Sequence, residues 1–221
     1  MAINKNSNLY TILYTVVMVV VVGALLATIA TVLKPLQEKN VLEEQKSSIM
    51  KAFGDENGNF AEVKVMLLCK NGPDIELKDE ADIKKVFSLI SNRKDLAAIQ
   101  DELPYFLYKD MTVVPLVGKG LWGDIWGYIA IKDGKVAGIV MDHAGETPGL
   151  GAEITTDEVQ NSFKEKIVFD GNNEVALRMQ KGGPKPGMED YQVDAITGGT
   201  KTCDGVNLML VESLMKYNSL F

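Results

Sequence analysis

From Tyr10 to Leu33 the chain reads YTILYTVVMVVVVGALLATIATVL, without one charged position. As a helix rising about 1.5 Å per residue, a run of this length crosses a hydrocarbon core of roughly 30 Å. Tyr10 and Tyr14 sit at one end of it, where amphipathic rings favour the membrane interface. A cleaved signal peptide has a shorter apolar region, about 7–15 residues, closed by a small-residue cleavage pattern. This run is longer and ends in Lys34-Pro35, so a retained transmembrane helix over 10–33 is expected, after a short tail at 1–9. Lys5 precedes the run; Lys34, Lys39 and Lys46 follow it. Counting Lys and Arg alone would put the large domain in the cytoplasm, but long domains translocate largely regardless of charge. The charge pattern leaves the side open.

Beyond the membrane run the periodicity changes. Leu36 to Phe53 is rich in Glu, Lys and Gln, with Val41, Leu42, Gln45, Ile49 and Phe53 near helical spacing, which predicts a helix continuing past Pro35. With the turn-rich Gly54–Gly58 it makes a membrane-proximal helix and linker over 34–60. A domain over 61–221 follows. Val63–Cys69 is a β-like apolar run, and Ala81, Ile83, Val86, Phe87 and Ile90 make 79–91 an amphipathic helix. Ile125–Lys132 and Val136–His143 flank Asp133-Gly134-Lys135, a hairpin signal. Thr156–Phe163 opens with a hydroxyl and acids, as a capped helix does. Ile167–Phe169 and Glu174–Met179 flank Asp170–Asn173 and predict a second hairpin. Tyr191–Ile196 is a short strand, and Val206, Leu210, Leu214 and Met215 mark a final amphipathic helix. The fold class is α+β: one N-terminal transmembrane helix, then an antiparallel-sheet domain flanked by helices.

Composition narrows the functions. With 46% hydrophobic and 24% charged residues the chain can bury a core and is not disordered. A net charge of −7 without a Lys/Arg block offers little to neutralise phosphates, which excludes a nucleic-acid partner. Cys69 and Cys203 are far apart and form no CxxC pair; spacing alone does not say whether they pair with each other. With one histidine, His143, a His-rich zinc or iron site is not expected, and no metal site is assigned. No Ser, Cys or His stands in a nucleophile motif such as G-x-S-x-G. The acid pairs Glu43-Glu44 and Glu189-Asp190 read as solvated faces rather than general acid/base pairs.

Three stretches could carry chemistry. Asp194-Ala-Ile-Thr-Gly-Gly-Thr-Lys-Thr202 lies between a short strand and the last helix. Gly198 and Gly199 let backbone approach a ligand, Thr197, Thr200 and Thr202 add hydroxyls, Lys201 adds charge, and a helix N-terminus favours an anion. These suit a phosphate, although an ordinary Gly/Thr turn before a helix has the same composition. The stretch does not match a P-loop. His143-Ala-Gly-Glu-Thr-Pro-Gly-Leu-Gly151 is a tight loop able to present Glu146, Thr147 and backbone N–H groups to a polar ligand edge, or merely a solvated turn. Gly118–Gly127 holds both tryptophans, Trp122 and Trp126, among glycines. A flat ligand could stack there, or both rings could be core.

In this order behind one apolar run, the three stretches resemble the NqrC family of the sodium-translocating NADH:quinone oxidoreductases, whose nearest cousin is the RnfG family of the Rnf complexes. The matching segments are Gly120-Leu121-Trp122, His143–Gly151 as H-x-G-E-T-P-G-L-G with Ala144 at the variable place, and Asp194–Thr200 against D-x-x-S-G-A-T. Here Thr197 stands for the family's Ser and Gly199 for its Ala. The resemblance implies FMN joined covalently through its phosphate to Thr200, installed by a flavin transferase with FAD as donor. It implies a bacterial inner-membrane protein with its soluble domain facing the periplasm, relaying electrons among other membrane subunits. It places Glu146, Thr147, Gly149, Leu150, Leu121 and Trp122 near the isoalloxazine, and Thr197, Gly198, Gly199, Lys201 and Thr202 at the phosphate. An Rnf-type protein would carry the same flavin with different electron donors. A periplasmic scaffold without flavin would be colourless.

Overall fold

The computed structural model describes residues 8–221. Of the tail expected at 1–9, only Asn8 and Leu9 lie among them, and both are helical. Helix α1 (Asn8–Ala52) runs through Pro35 without ending, losing one backbone hydrogen bond there. Within the apolar run, the hydroxyls of Thr15, Thr28 and Thr31 donate to the carbonyls four residues back at 2.8 Å each. That satisfies polar groups which hydrocarbon could not.

A compact unit spans Gln45–Phe221. It starts earlier than the boundary expected at residue 61, because the last turn of α1 and the residue after it are already core: Ile49, Met50 and Ala52 of the helix and Phe53 beyond it are buried. Then come β1 (Lys64–Leu68), β2 (Ile75–Leu77), α2 (Glu80–Ser91), α3 (Arg93–Ala98), β3 (Leu103–Tyr108), β4 (Met111–Lys119), β5 (Asp124–Lys132), β6 (Lys135–His143), α4 (Asp157–Ser162), β7 (Arg178–Gln180), β8 (Gln192–Asp194) and α5 (Thr200–Leu214). Six strands form one antiparallel sheet in the order β2-β1-β3-β4-β5-β6. The β5–β6 turn puts Asp133 and Gly134 at φ 50° and 76°, the two positive values that a type I′ hairpin requires. Thr156 caps α4, as expected, and Asp79 caps α2.

Side chains alternate across the sheet. On one face Val114, Leu116, Ile125, Ile129 and Ile131 pack with Val206, Met209, Leu210 and Leu214 of α5. On the other, Phe60, Phe87, Phe106 and Tyr128 form a chain of tilted and edge-to-face rings. Helix α5 lies unusually close to the end of β4. A Cβ on Gly118 would stand 2.6 Å from Met209 Cβ, and one on Gly205 would collide with the Lys119 carbonyl oxygen.

The expected hairpin over 167–179 forms only in part. Asp170 Oδ1 accepts from the N–H groups of Asn172 and Glu174 (2.8 and 3.0 Å), and Phe169 bridges Val175. Beyond that bridge, β7 pairs in parallel with β8 instead. The competitor is Asn207 on α5, which takes both backbone groups of Met179: Oδ1 accepts its N–H at 2.7 Å, and Nδ2 donates to its carbonyl at 2.9 Å. Met215, expected on the final helix, instead falls just past its end, in a 3-10 turn, and is exposed.

The close approach at Gly205 yields a test. Ala in place of an interior helical Gly ordinarily stabilises by roughly 0.5–1 kcal/mol. Here the added methyl must push α5 off β4, an overpacking cost of about 1–3 kcal/mol. Gly205→Ala should therefore lower the thermal midpoint of the detergent-solubilised chain; a higher midpoint would contradict this packing.

Candidate functional site

Three segments meet at the start of α5. The first, 120–123, joins β4 to β5 and is closed by Gly120 N–H donating to the Gly123 carbonyl at 2.8 Å. Lys119 and Asp124 pair at its base at 2.7 Å. The second, 143–151, leaves the end of β6. Its Ala144 N–H donates to the Asp124 carbonyl at 2.9 Å, and the N–H groups of Leu150 and Ala152 share the Thr147 carbonyl at 3.1 Å each. Gly149 sits at φ 73°, and its N–H donates to Glu153 Oε1 at 3.1 Å. The third, 196–202, enters α5: Gly199 N–H donates to the Ile196 carbonyl (3.0 Å), and Cys203 N–H to the Gly199 carbonyl (2.9 Å).

Glu146 ties the three together. It is 4% exposed. Oε1 accepts the Trp122 N–H at 2.8 Å, and Oε2 accepts the Thr202 hydroxyl at 2.5 Å. Burial pushes this carboxyl up, but the hydrogen bonds from Thr202 and from the N–H groups of Trp122, Gly123 and Leu121 outweigh it and hold it below the ordinary 4.5. Its own N–H donates to Nδ1 of His143 at 3.1 Å, so the lone histidine is a strand-end anchor for this loop. Two glycines leave room for the carboxylate. A Cβ on Gly120 would sit 2.5 Å from Oε1, and one on Gly151 would stand 2.6 Å from Oε2 and collide with the Thr202 hydroxyl.

Around this buried knot the surface is apolar where a polar one would be ordinary. Trp122 is 70% exposed, and Leu121 and Leu150 are exposed too. Thr147, Gly149, Thr197, Gly198, Thr200 and Lys201 are also at the surface, whereas Gly199 and Thr202 are buried. Of the three threonines in the stretch, Thr202 has its hydroxyl committed to Glu146. Thr200 is the first residue of α5; Gly199 supplies no side-chain cap, and the first turn holds no acid. The positive end of the helix is therefore uncancelled by its own side chains. Lys201 reaches Asp204 at 3.4 Å, both exposed. Gly198, at φ 78°, lets the second and third segments touch: a Cβ there would come within 2.5 Å of Leu150 Cδ2.

The sequence placed these residues in three separate stretches; the structure brings them to one place. Trp126 is turned away from it, with the Arg93 guanidinium stacked 3.2 Å from its ring centre. Two contributors carried no motif signal. Cys203 is a free, buried thiol whose sulfur accepts the Ile196 N–H at 3.3 Å, holding the loop that leads into Thr200; burial pushes its thiol pKa up. The Gly118 and Gly205 contacts set how closely α5 packs on the end of β4. Cys69 is also a free thiol, elsewhere.

An antiparallel sheet with a helix N-terminus and an apolar rim at one end defines a class, and comparison agrees: residues 120–214 match the FMN-binding domain family. The Na(+)-translocating NADH-quinone reductase protein NqrC of Haemophilus ducreyi is 31% identical, over 92% of this chain and 88% of that protein. Its counterpart from Neisseria meningitidis serogroup B is also 31% identical, over 85% and 80%. The crystal structure of the NqrC protein from Parabacteroides distasonis superposes with a TM-score of 0.68 at 29% identity, covering 84% of this chain and 94% of that one. Shewanella oneidensis NqrC gives 0.64 at 28%, covering 82% and 97%. The chain belongs to the NqrC family of the Na(+)-translocating NADH-quinone reductases, whose members are components of an oxidoreductase complex.

Two outcomes follow from the knot. Gly149 has open space beside it, whereas a side chain at Gly151 meets Thr202 and Glu146. Gly151→Ala should therefore lower the thermal midpoint although its backbone φ is not left-handed, and Gly151→Ala combined with Thr202→Ser, which removes a methyl, should recover little of the loss because the hydroxyl itself is in the way. A carboxyl depressed on folding stabilises above its unfolded-state value, and that contribution is lost as pH falls through the folded-state value. The stability difference between the wild type and Glu146→Gln should be largest above about pH 4.5 and shrink in more acid solution, read from denaturant midpoints. A difference independent of pH would refute it.

Proposed function

We propose that the chain is the flavoprotein subunit of a membrane-bound, sodium-pumping NADH:quinone oxidoreductase, that it carries FMN attached through its phosphate to Thr200, and that it relays electrons between other membrane subunits. The observation that carries this reading is the exposed Thr200 hydroxyl at the uncapped start of α5, next to a surface where Leu121, Trp122 and Leu150 stay exposed. A phosphate and a flat apolar ring system together account for both halves of that surface.

The residues present fit the group. The N–H groups of Thr200, Lys201 and Thr202 lie in the first turn, where a helix has no carbonyl of its own to offer them. They and the helix dipole favour an anion. Lys201 adds a positive charge, and Thr197 and Gly198 line the approach. Leu121, Trp122, Leu150, Thr147 and Gly149 stand where a ring would be sheltered, and burying a Trp face and two Leu side chains against it would stabilise contact. FMN, when bound, supplies reversible electron transfer. The chain's own part is to hold the group, exclude water from one side of it and set its surroundings.

Attachment needs a second protein, a flavin transferase with FAD as donor. The Thr200 Oγ1 forms the new bond to the FMN phosphorus, the hydroxyl proton leaves, and AMP departs as its bond to that phosphorus breaks. Since the covalent link retains the cofactor, the surface need not supply the affinity that a dissociable FMN would demand. Helix α1, with mean hydropathy 2.8 in its most apolar window, anchors the chain in the bacterial inner membrane as a single pass, with the soluble unit on the periplasmic side.

In-gel fluorescence after denaturing electrophoresis tests the attachment. The wild type co-expressed with its transferase should fluoresce, Thr197→Val should still fluoresce, and Thr200→Val should be dark at equal protein. A fluorescent Thr200→Val band would overturn the assignment.

A further inference from the structure

We propose that Glu146 is a positioning residue, a buried strut that sets the flavin's surroundings without touching the flavin; the inference rests on the Thr200 reading above. An ionised carboxylate offers about four acceptor positions. Here Oε1 accepts the Trp122 N–H and Oε2 accepts the Thr202 hydroxyl, and the nearby N–H groups of Leu121 and Gly123 further favour its charged form. Each oxygen is thus engaged by a protein donor, and at 4% exposure the group does not reach the surface where the ring would lie.

What Glu146 does hold is the two sides of that surface. Through Oε1 it fixes the backbone of Trp122, which with its neighbour Leu121 puts exposed side chains on the apolar side. Through Oε2 it fixes Thr202, two residues from Thr200 on the first turn of α5. Its own backbone belongs to the loop that carries Thr147 and Leu150. One side chain thus sets the spacing between the attachment point and the apolar walls. Gly120 and Gly151 are the counterpart of this arrangement, because any Cβ at either position would enter the space the carboxylate occupies. Preorganised walls matter for a tethered group in a particular way. The tether keeps the flavin near, and only the walls decide whether it is sheltered or swings into water.

The role separates from attachment in experiment. Full-length protein, co-expressed with its transferase, is prepared as wild type, Glu146→Ala, Glu146→Gln, Thr202→Val and Thr202→Ser. For each, covalent FMN is measured by intact mass, flavin emission per bound flavin by fluorescence, and the midpoint potential by redox titration. Attachment depends on the Thr200 hydroxyl, so all variants should carry FMN. In Glu146→Ala and Thr202→Val, emission should rise and the potential move toward the values of free FMN, with Glu146→Gln shifted in the same sense. Thr202→Ser keeps the hydroxyl and should match the wild type. Emission and potential unchanged in both Glu146→Ala and Thr202→Val would overturn the strut, as would Thr202→Ser shifting as far as Thr202→Val. Should Glu146→Ala fail to accumulate, the two Thr202 variants decide it alone. A wild type without FMN at Thr200 is a different failure: it removes the attachment reading itself.

Discussion

A carboxylate taken out of water loses hydration worth several kcal/mol even after the protein relaxes around it, and Glu146 is nearly fully buried. It remains ionised because donors from two other parts of the chain surround it: the 121–123 backbone and the Thr202 hydroxyl. Hydrogen bonds to a charged group are worth about 1.5–3 kcal/mol each, so losing any one arm leaves an expensive group partly unsatisfied. The end of β4, the end of β6 and the start of α5 are therefore not three independent loops. The Glu146 carboxylate ties them to one another.

That constraint only works because α5 is delivered to the right place by packing. Its buried face, Val206, Met209, Leu210 and Leu214, belongs to the main core, and its approach to β4 is limited by Gly118 and Gly205. Asn207 on the same helix draws β7 out of the hairpin it would otherwise make. Cys203, one turn into the helix, holds the Ile196 N–H. A single helix thus serves as core element, as organiser of the neighbouring backbone and as the platform for Thr200. Stability and site geometry share the same contacts, which is why glycine substitutions far from the rim are expected to reach it.

Much of this was legible in the residues and some was not. The uncharged run at 10–33, the Asp133-Gly134 turn with its flanking alternation, and the spacing of Val206, Leu210 and Leu214 are strong local signals, and each became the element it indicated. Strands β3 and β4 left a weaker trace. Pro104 and Pro115 interrupt apolar runs that otherwise read as strand. In the fold, Pro115 lies beyond the stretch Met111–Val113 that pairs with β3, so only β5 stands beside it, a position where a missing N–H is tolerated. Beside the parallel β7–β8 pairing, Asn207 holds both backbone groups of Met179, a contact nearly thirty positions away that no local pattern encodes. At the site, motif resemblance identified the three segments. It did not reveal that Glu146 is buried and bonded to Trp122 and Thr202, because a carboxylate in a Gly/Pro loop has the composition of a ligand-facing group. Burial alone distinguishes the two, and burial is a property of the assembled fold.

On the proposed reading, the exposed start of α5 is built to carry FMN on Thr200. The most direct measurement is peptide mapping by mass spectrometry of the protein purified from its native membrane. The peptide containing Thr197 to Thr202 should be heavier by FMN less one water, with fragmentation placing the added mass on Thr200 and leaving Thr197 and Thr202 unmodified. An unmodified peptide from an assembled, active complex, or the added mass on either of the other two threonines, would contradict it.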